Sequence, residues 1–288
     1  MLFIAALITS AQPVPEKPHV LFIISDDLRP TLGAYGSAAL TPHVDGLAQE
    51  GLTFTRAYTQ FPWCSPSRQS FMTGRRPDNT KSWTFTVSFR DALPHAVSLS
   101  QHFRQSGWHA ASVGKIFHGR NCVRGDPGCC AANTTFHECV QQPTDADFGG
   151  GELSWDERPV DFGRVGCPKD VQWCESPAPD EQYCDYKVAD AAIARLQAHA
   201  ASHTDKPLFL AVGFRDNHLK WAAPARFRAA LDPANLTITR HAETPSFDAA
   251  SGGVPRQAWQ WPVWVGSTYK LSAAVRLSDA DLHEALPD

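Results

Sequence analysis

The stretch CSPSRQSFMTGRR, residues 64–76, sets one thiol among three guanidinium groups. Pro66 suits the first turn of a helix, which puts Cys64 at or just before that helix's N-terminus. Backbone N–H groups and the helix dipole favour an anion there. Arg68 lies one turn on, Gly74 is a helix stop, and Arg75 and Arg76 follow. Such a segment offers a positively biased pocket around one small reactive side chain. The plain alternative is a buried thiol with arginines on a solvated face. Asp26 and Asp27 are adjacent, and a buried pair of carboxylates needs a cation or arginines beside it. Their hard oxygens suit calcium or magnesium, although aspartates also serve turns and helix caps. Lys115, His118 and His218 add groups able to contact a leaving group or a developing oxyanion.

These residues follow apolar runs. His19 to Ile24 leads into Ser25-Asp26-Asp27, Trp108 to Val113 into Gly114-Lys115-Ile116-Phe117-His118, and Leu208 to Phe214 into Arg215-Asp216-Asn217-His218. Near-continuous apolar strands predict parallel sheets covered on both faces. Ligands in open sheets of this kind bind beyond the carboxyl ends of the strands, so neighbouring runs would converge their polar ends on one cleft. Helices are predicted between them. One starts at Thr41-Pro42 and closes at Gly51. A second spans Ser98 to Ser106, with Leu99 and Phe103 on one face. A third spans Tyr186 to Ala200, with Val188, Ala192 and Leu196 on one stripe. The alternation predicts an α/β fold: a mostly parallel central sheet with helices on both faces.

The 288 residues carry 43% hydrophobic and 19% charged residues and a net charge of −4. That balance excludes wholesale disorder and argues against a nucleic-acid partner. Residues 1–12 read as a signal peptide whose apolar run is too short for a stable membrane span, which needs ~20 residues. Asn133 and Asn235 head sequons. Seven of the eight cysteines lie between Cys122 and Cys184, and a dense set in a secreted chain reads as disulfides, ahead of zinc. The segment 119–179 is therefore expected to be a stapled surface excursion. Cys64 stands apart.

Cys64-Ser65-Pro66-Ser67-Arg68 with Thr73-Gly74-Arg75 resembles the signature of the type I sulfatases of the alkaline-phosphatase superfamily. The order also fits, with Asp-Asp after the first strand and Val113-Gly114-Lys115 later. Within the family, DDLRPTLGAYG, CSPSRQSFMTGRRPD, VGKIFH and LFLAVGF with His218 are most similar to the iduronate-2-sulfatase group. The resemblance implies an N-terminal catalytic domain over 18–288, truncated in its C-terminal part, with the Cys-rich insert at 119–185. It implies that a formylglycine-generating enzyme oxidises Cys64 to formylglycine, whose hydrate attacks sulfur. Asp26, Asp27 and modified Cys64 would hold Ca2+, with Mg2+ as the alternative. Arg68 would hold the hydrate, and Lys115, His118 and His218 would contact the sulfate ester. The implied substrate is a sulfated, uronate-containing glycosaminoglycan, and the implied location is secreted or lysosomal. Two departures stand out. Arg215-Asp216-Asn217-His218 replaces a His-Lys-Pro-His of the relatives, and their later metal-ligand pair and further lysine are not found. The competing readings are an inactive relative that only binds sulfated glycans, and a phosphomonoesterase or phosphonate hydrolase of the same superfamily.

Overall fold

A computed structural model describes residues 17–83, 87–118, 154–157, 162, 165, 167, 173–202, 204–218 and 221–229. Three parallel strands, β1 (Val20–Ser25), β2 (His109–Gly114) and β4 (Leu208–Phe214), form one sheet in the order β1-β4-β2. β4 lies in the middle, paired from Val20↔Phe209 to Ser25↔Phe214 on one side and from His109↔Leu208 to Gly114↔Gly213 on the other. The register brings the three carboxyl ends level, as the sequence predicts. Leu208 through Val212 are all buried.

Helices cover both faces of this sheet. On one face lie α2 (Cys64–Thr73), α4 (Phe89–Ala92) and α5 (Leu99–Gln105), around Met72, Phe89, Phe117 and Phe209. Phe209 is fully buried and its ring stacks 4.4 Å from that of Phe103. Truncating such a side chain to alanine costs about 3–5 kcal/mol. On the other face α6 (Cys184–Ala201) buries Cys184, Val188 and Ala192 against Ala111, Val113, Leu210 and Val212. Two expectations are corrected here. Leu196, assigned to the buried stripe, is 38% exposed, because the helix runs past the sheet. Among the described residues β1 is not covered on both faces: Leu21 and Ile23 are each 46% exposed, because α6 lies over β2 and β4.

Local signals fare well at helix ends. Ser98 accepts from the Gln101 N–H and caps α5. Helix α1 (Pro42–Glu50) has proline in its first turn and closes at Gly51, but the Thr41 hydroxyl does not cap it. Instead Thr41 Oγ1 donates to Asp45 and accepts from the Gly33 N–H. The four-residue helix α3 (Pro77–Thr80) follows α2.

The predicted surface excursion is corrected at residues 154–157. Trp155 is buried against Phe117 and Phe209, and Asp156 exchanges backbone and side-chain hydrogen bonds with Ala110. The chain divides into two compact units, and everything above belongs to the first, Met1–Val165 with Ala178–His218. The second unit contains β3 (Trp173–Ser176) paired in parallel with β5 (Trp221–Pro224), then α7 (Ala225–Ala229) and a Cys167–Cys174 disulfide. The signal-peptide residues, Cys122, Cys129, Cys130, Cys139, Asn133 and Asn235 lie outside the described residues.

Candidate active site

Strand ends build the site. Beyond β1, the Asp26 N–H continues the ladder to the Phe214 carbonyl at 3.0 Å. Successive residues of an extended strand point to opposite sides. Asp27 escapes that alternation through a left-handed backbone, φ 52°, a conformation aspartate tolerates better than most residues. Both carboxylates consequently approach the start of α2. At the ends of β2 and β4, Gly114 and Gly213 sit side by side. A Cβ on Gly213 would stand 2.1 Å from the Lys115 carbonyl oxygen, so only glycine lets the chain turn there.

Cys64 is the first residue of α2, as its spacing from Pro66 predicts, and Gly74 ends the helix in a left-handed cap. Its Sγ lies 3.6 Å from Asp26 Oδ1 and 3.8 Å from Asp27 Oδ1. Lys115 Nζ donates to the same sulfur at 3.6 Å and also to Asp26 Oδ2. Arg68 Nη2 donates to Asp26 Oδ1 at 2.7 Å. Its Nη1 holds the carbonyls of Lys115 and Ile116 at 2.5 and 2.8 Å. Arg68 thus braces the carboxylate and the turn after β2. Its Nε is buried with no hydrogen-bond partner.

Charge follows from this packing. Burial alone would raise the Asp26 carboxyl, but Arg68 and Lys115 outweigh it and hold the group well below the usual carboxylate range. Burial pushes the Cys64 thiol up to about 11; Asp26 and Asp27 add to the rise, and Lys115 and Arg68 offset part of it. The sequence suggests an anion-favouring helix start. Burial, with the acid pair adding to it, works against a thiolate at that helix start. An unmodified Cys64 is therefore a poor nucleophile near neutral pH.

His218 comes from the turn after β4, with Nε2 3.8 Å from Asp27 Oδ2. Ligand atoms of Asp26, Cys64 and His218 all lie within 4.8 Å of one another. His118 is half-buried and does not join that group. The carboxylate oxygens of Asp26 and Asp27 are of the kind a hard divalent cation takes. The Arg68 guanidinium and the Lys115 ammonium both sit on Asp26, where the buried anionic charge lies.

Three supporting groups carry no signal in the sequence pattern. The buried Gln69 side chain ties α2 to Ser82 and Val87 through Nε2 and accepts from the Phe89 N–H. Asp185 accepts from the Arg215 and Asp216 N–H groups at 2.7 and 3.0 Å, fixing the turn that bears His218. Ser25 Oγ donates to Asn217 of the same turn. A glutamine inside a helix and an aspartate in a helix's first turn are commonplace, so neither stood out.

A parallel α/β sheet with a cysteine-led helix aimed at an acid pair beyond its strand ends defines the sulfatase class of architecture. The sulfatase family profile matches residues 18–237, and the chain belongs to that family. It is 31% identical to the iduronate 2-sulfatase of Homo sapiens over 251 residues, covering 82% of this chain and 42% of that protein. It is 28% identical to a sulfatase of Formosa agariphila, covering 74% of this chain and 41% of the relative. The chain thus spans less than half the length of these relatives. In fold it resembles the phosphonate monoester hydrolase of Agrobacterium radiobacter, with TM-score 0.55 and 19% identity over 77% of this chain and 45% of the other. At that identity the likeness concerns fold alone.

Proposed function

We propose that this chain carries the nucleophile and part of the cation site of a sulfate-ester hydrolase. The observation that carries the reading is the placement of Cys64 within 4 Å of Asp26, Asp27 and Lys115. Thiolate chemistry is favoured by net positive surroundings, and an adjacent pair of carboxylates works against it. A residue destined for oxidation to formylglycine needs neighbours that suit an oxygen ligand.

In this reading Asp26, Asp27 and oxidised position 64 hold Ca2+, or Mg2+ in its place. When bound, cation and aldehyde hydrate supply charge neutralisation and a hydroxyl nucleophile. The chain's own residues do the rest. Lys115 Nζ, already against Asp26 and Cys64, moves onto sulfate oxygens. His218 Nε2, oriented by Asp27, holds a proton for the departing alcohol oxygen. His118 contacts the ester from the turn after β2. Arg68 keeps Asp26 ionised and the Lys115 backbone in place. Two carboxylates and one oxygen fill only part of the roughly six to eight positions calcium takes, leaving room for water and substrate oxygens.

The substrates of this reading are sulfated, uronate-containing glycosaminoglycans, supported by the match to iduronate 2-sulfatase. Maturation by a formylglycine-generating enzyme and passage through the secretory pathway to a secreted or lysosomal location belong with it. Among the described residues no helix is long and apolar enough to cross a membrane. Mass spectrometry of the peptide around residue 64 from secreted protein tests the core of the reading. Formylglycine is the expected result, and unmodified cysteine throughout would overturn it. Sulfate release from heparan or dermatan fragments, run beside aryl sulfate, phosphate and phosphonate esters, tests the substrate. Faster turnover of phosphorus esters would transfer the chain to that chemistry.

A further inference from the structure

A cavity of about 350 Å3 runs along the outer side of α2. Ser67, Ser70, Phe71 and Gly74 line it at helical spacings of three and four, which places them on one face. Cys64, three residues before Ser67, stands at the head of that face. The left-handed Gly74 cap turns the chain so that Arg75 and Arg76 close the far end. The opposite wall is the loop bearing Tyr58 and Thr59. Thr59 Oγ1 donates to the Phe61 carbonyl, so in its 2.8 Å contact with Ser67 it is the acceptor. That bond ties the wall to the helix.

The lining chemistry is specific. Arg75 and Arg76 are exposed, and neither side chain has an anionic partner among the described residues. Their net-acidic chain therefore presents two unneutralised guanidinium groups into one cavity. Guanidinium forks match carboxylate and sulfate oxygens in bidentate geometry. Tyr58 is 77% exposed, offering a ring face and a phenolic hydroxyl at the rim. Hydroxyls of Ser67 and Thr59 sit between. Cations at one end, an aromatic face beside them and hydroxyls along the floor suit a charged sugar better than a free inorganic anion or an apolar ligand.

We propose that this cavity is a subsite for an anionic saccharide unit, holding a sulfate or carboxylate of the same glycan whose ester lies at position 64. The inference rests on the reading of the chain as a glycan sulfatase and extends it. The site selects for chain length: it engages an oligosaccharide and ignores a small aryl sulfate.

The test uses the secreted full-length protein and a heparin-derived hexasaccharide as probe. Titration calorimetry compares the parent with the double variant Arg75→Ala/Arg76→Ala, and aryl-sulfate turnover is measured on both. The expected result is at least a tenfold loss of hexasaccharide affinity with aryl-sulfate turnover within twofold of the parent. Arg75→Lys/Arg76→Lys restores part of the affinity, which separates lost charge from a disturbed fold. Equal hexasaccharide affinity for parent and double variant would overturn the subsite. Loss of affinity in a protein that turns over no sulfate ester would leave the subsite standing and remove the catalytic reading. Normal turnover with unchanged affinity would do the reverse.

Discussion

Cys64 and Cys184 occupy matching positions. Each is the first residue of a helix, and each lies near two aspartates: Asp26 and Asp27 after β1 for Cys64, and Asp216 after β4 with Asp185 of α6 for Cys184. Both sets bring potential ligand atoms within 4.8 Å of one another. The partners differ. At Cys64 the buried carboxylate is held by side-chain cations, Arg68 and Lys115. At Cys184 the carboxylates accept backbone N–H groups of Arg215, Asp216 and Asp185, and the fully buried thiol donates to the Phe162 carbonyl. Peptide dipoles are fixed in place, so the second set is a fastener between α6 and the turn after β4. A lysine side chain is free to exchange its partner, so the first set suits the site proposed above. Residue types and distances alone do not separate the two; the donors that satisfy them do.

The largest expected contrast is in turnover. Cys64→Ala should cut sulfate release by at least about 1,000-fold. Cys184→Ala should leave it within twofold and cost about 1–2 kcal/mol of stability from the lost packing of a buried side chain. Equal inactivation by both would break the distinction. Next comes stability in urea. Arg68→Ala leaves Asp26 buried without one of its two cations and should cost about 3–5 kcal/mol. Asp185→Asn keeps one acceptor for two N–H groups and should cost about 1–3 kcal/mol.

Alkylation sharpens the electrostatic half of the comparison. In metal-free protein made without modification, the Cys64 thiol titrates near 11, against an ordinary value of 9.0. Alkylation follows the thiolate, so at pH 8 iodoacetamide should label it roughly 100-fold more slowly than an unshifted thiol, with the rate climbing through about pH 11. A midpoint near 9 would remove the influence of burial and the acid pair. Gly213→Ala presses a methyl group into the Lys115 backbone and should cost about 1–3 kcal/mol while lowering turnover. The smallest effect is at the surface. Arg104→Ala breaks an ion pair with Asp156 that is open to solvent, and melting should register less than about 1 kcal/mol.

Much of the scaffold is legible from local patterns. The run Leu208–Phe214 reads as a buried strand and is one, because a central parallel strand has no polar face to show. The stop at Gly74 follows from the low cost of a left-handed cap at glycine. Less legible are groups whose role depends on distant chain. Trp155 joins the core from within a Cys-rich stretch, and Leu21 and Ile23 stay half-exposed in an apolar strand. Periodicity reports which side of an element is apolar, not which neighbour arrives to cover it.

Sequence alone determined which residues end the strands, where α2 starts and stops, and the family signature around Cys64. The tertiary fold decided which charges meet. The order β1-β4-β2 brings Lys115 to Asp26 across 89 positions, and the left-handed Asp27 brings a second carboxylate to the thiol. Coulomb energies depend on separation and burial, and neither is written in the local spacing of residues.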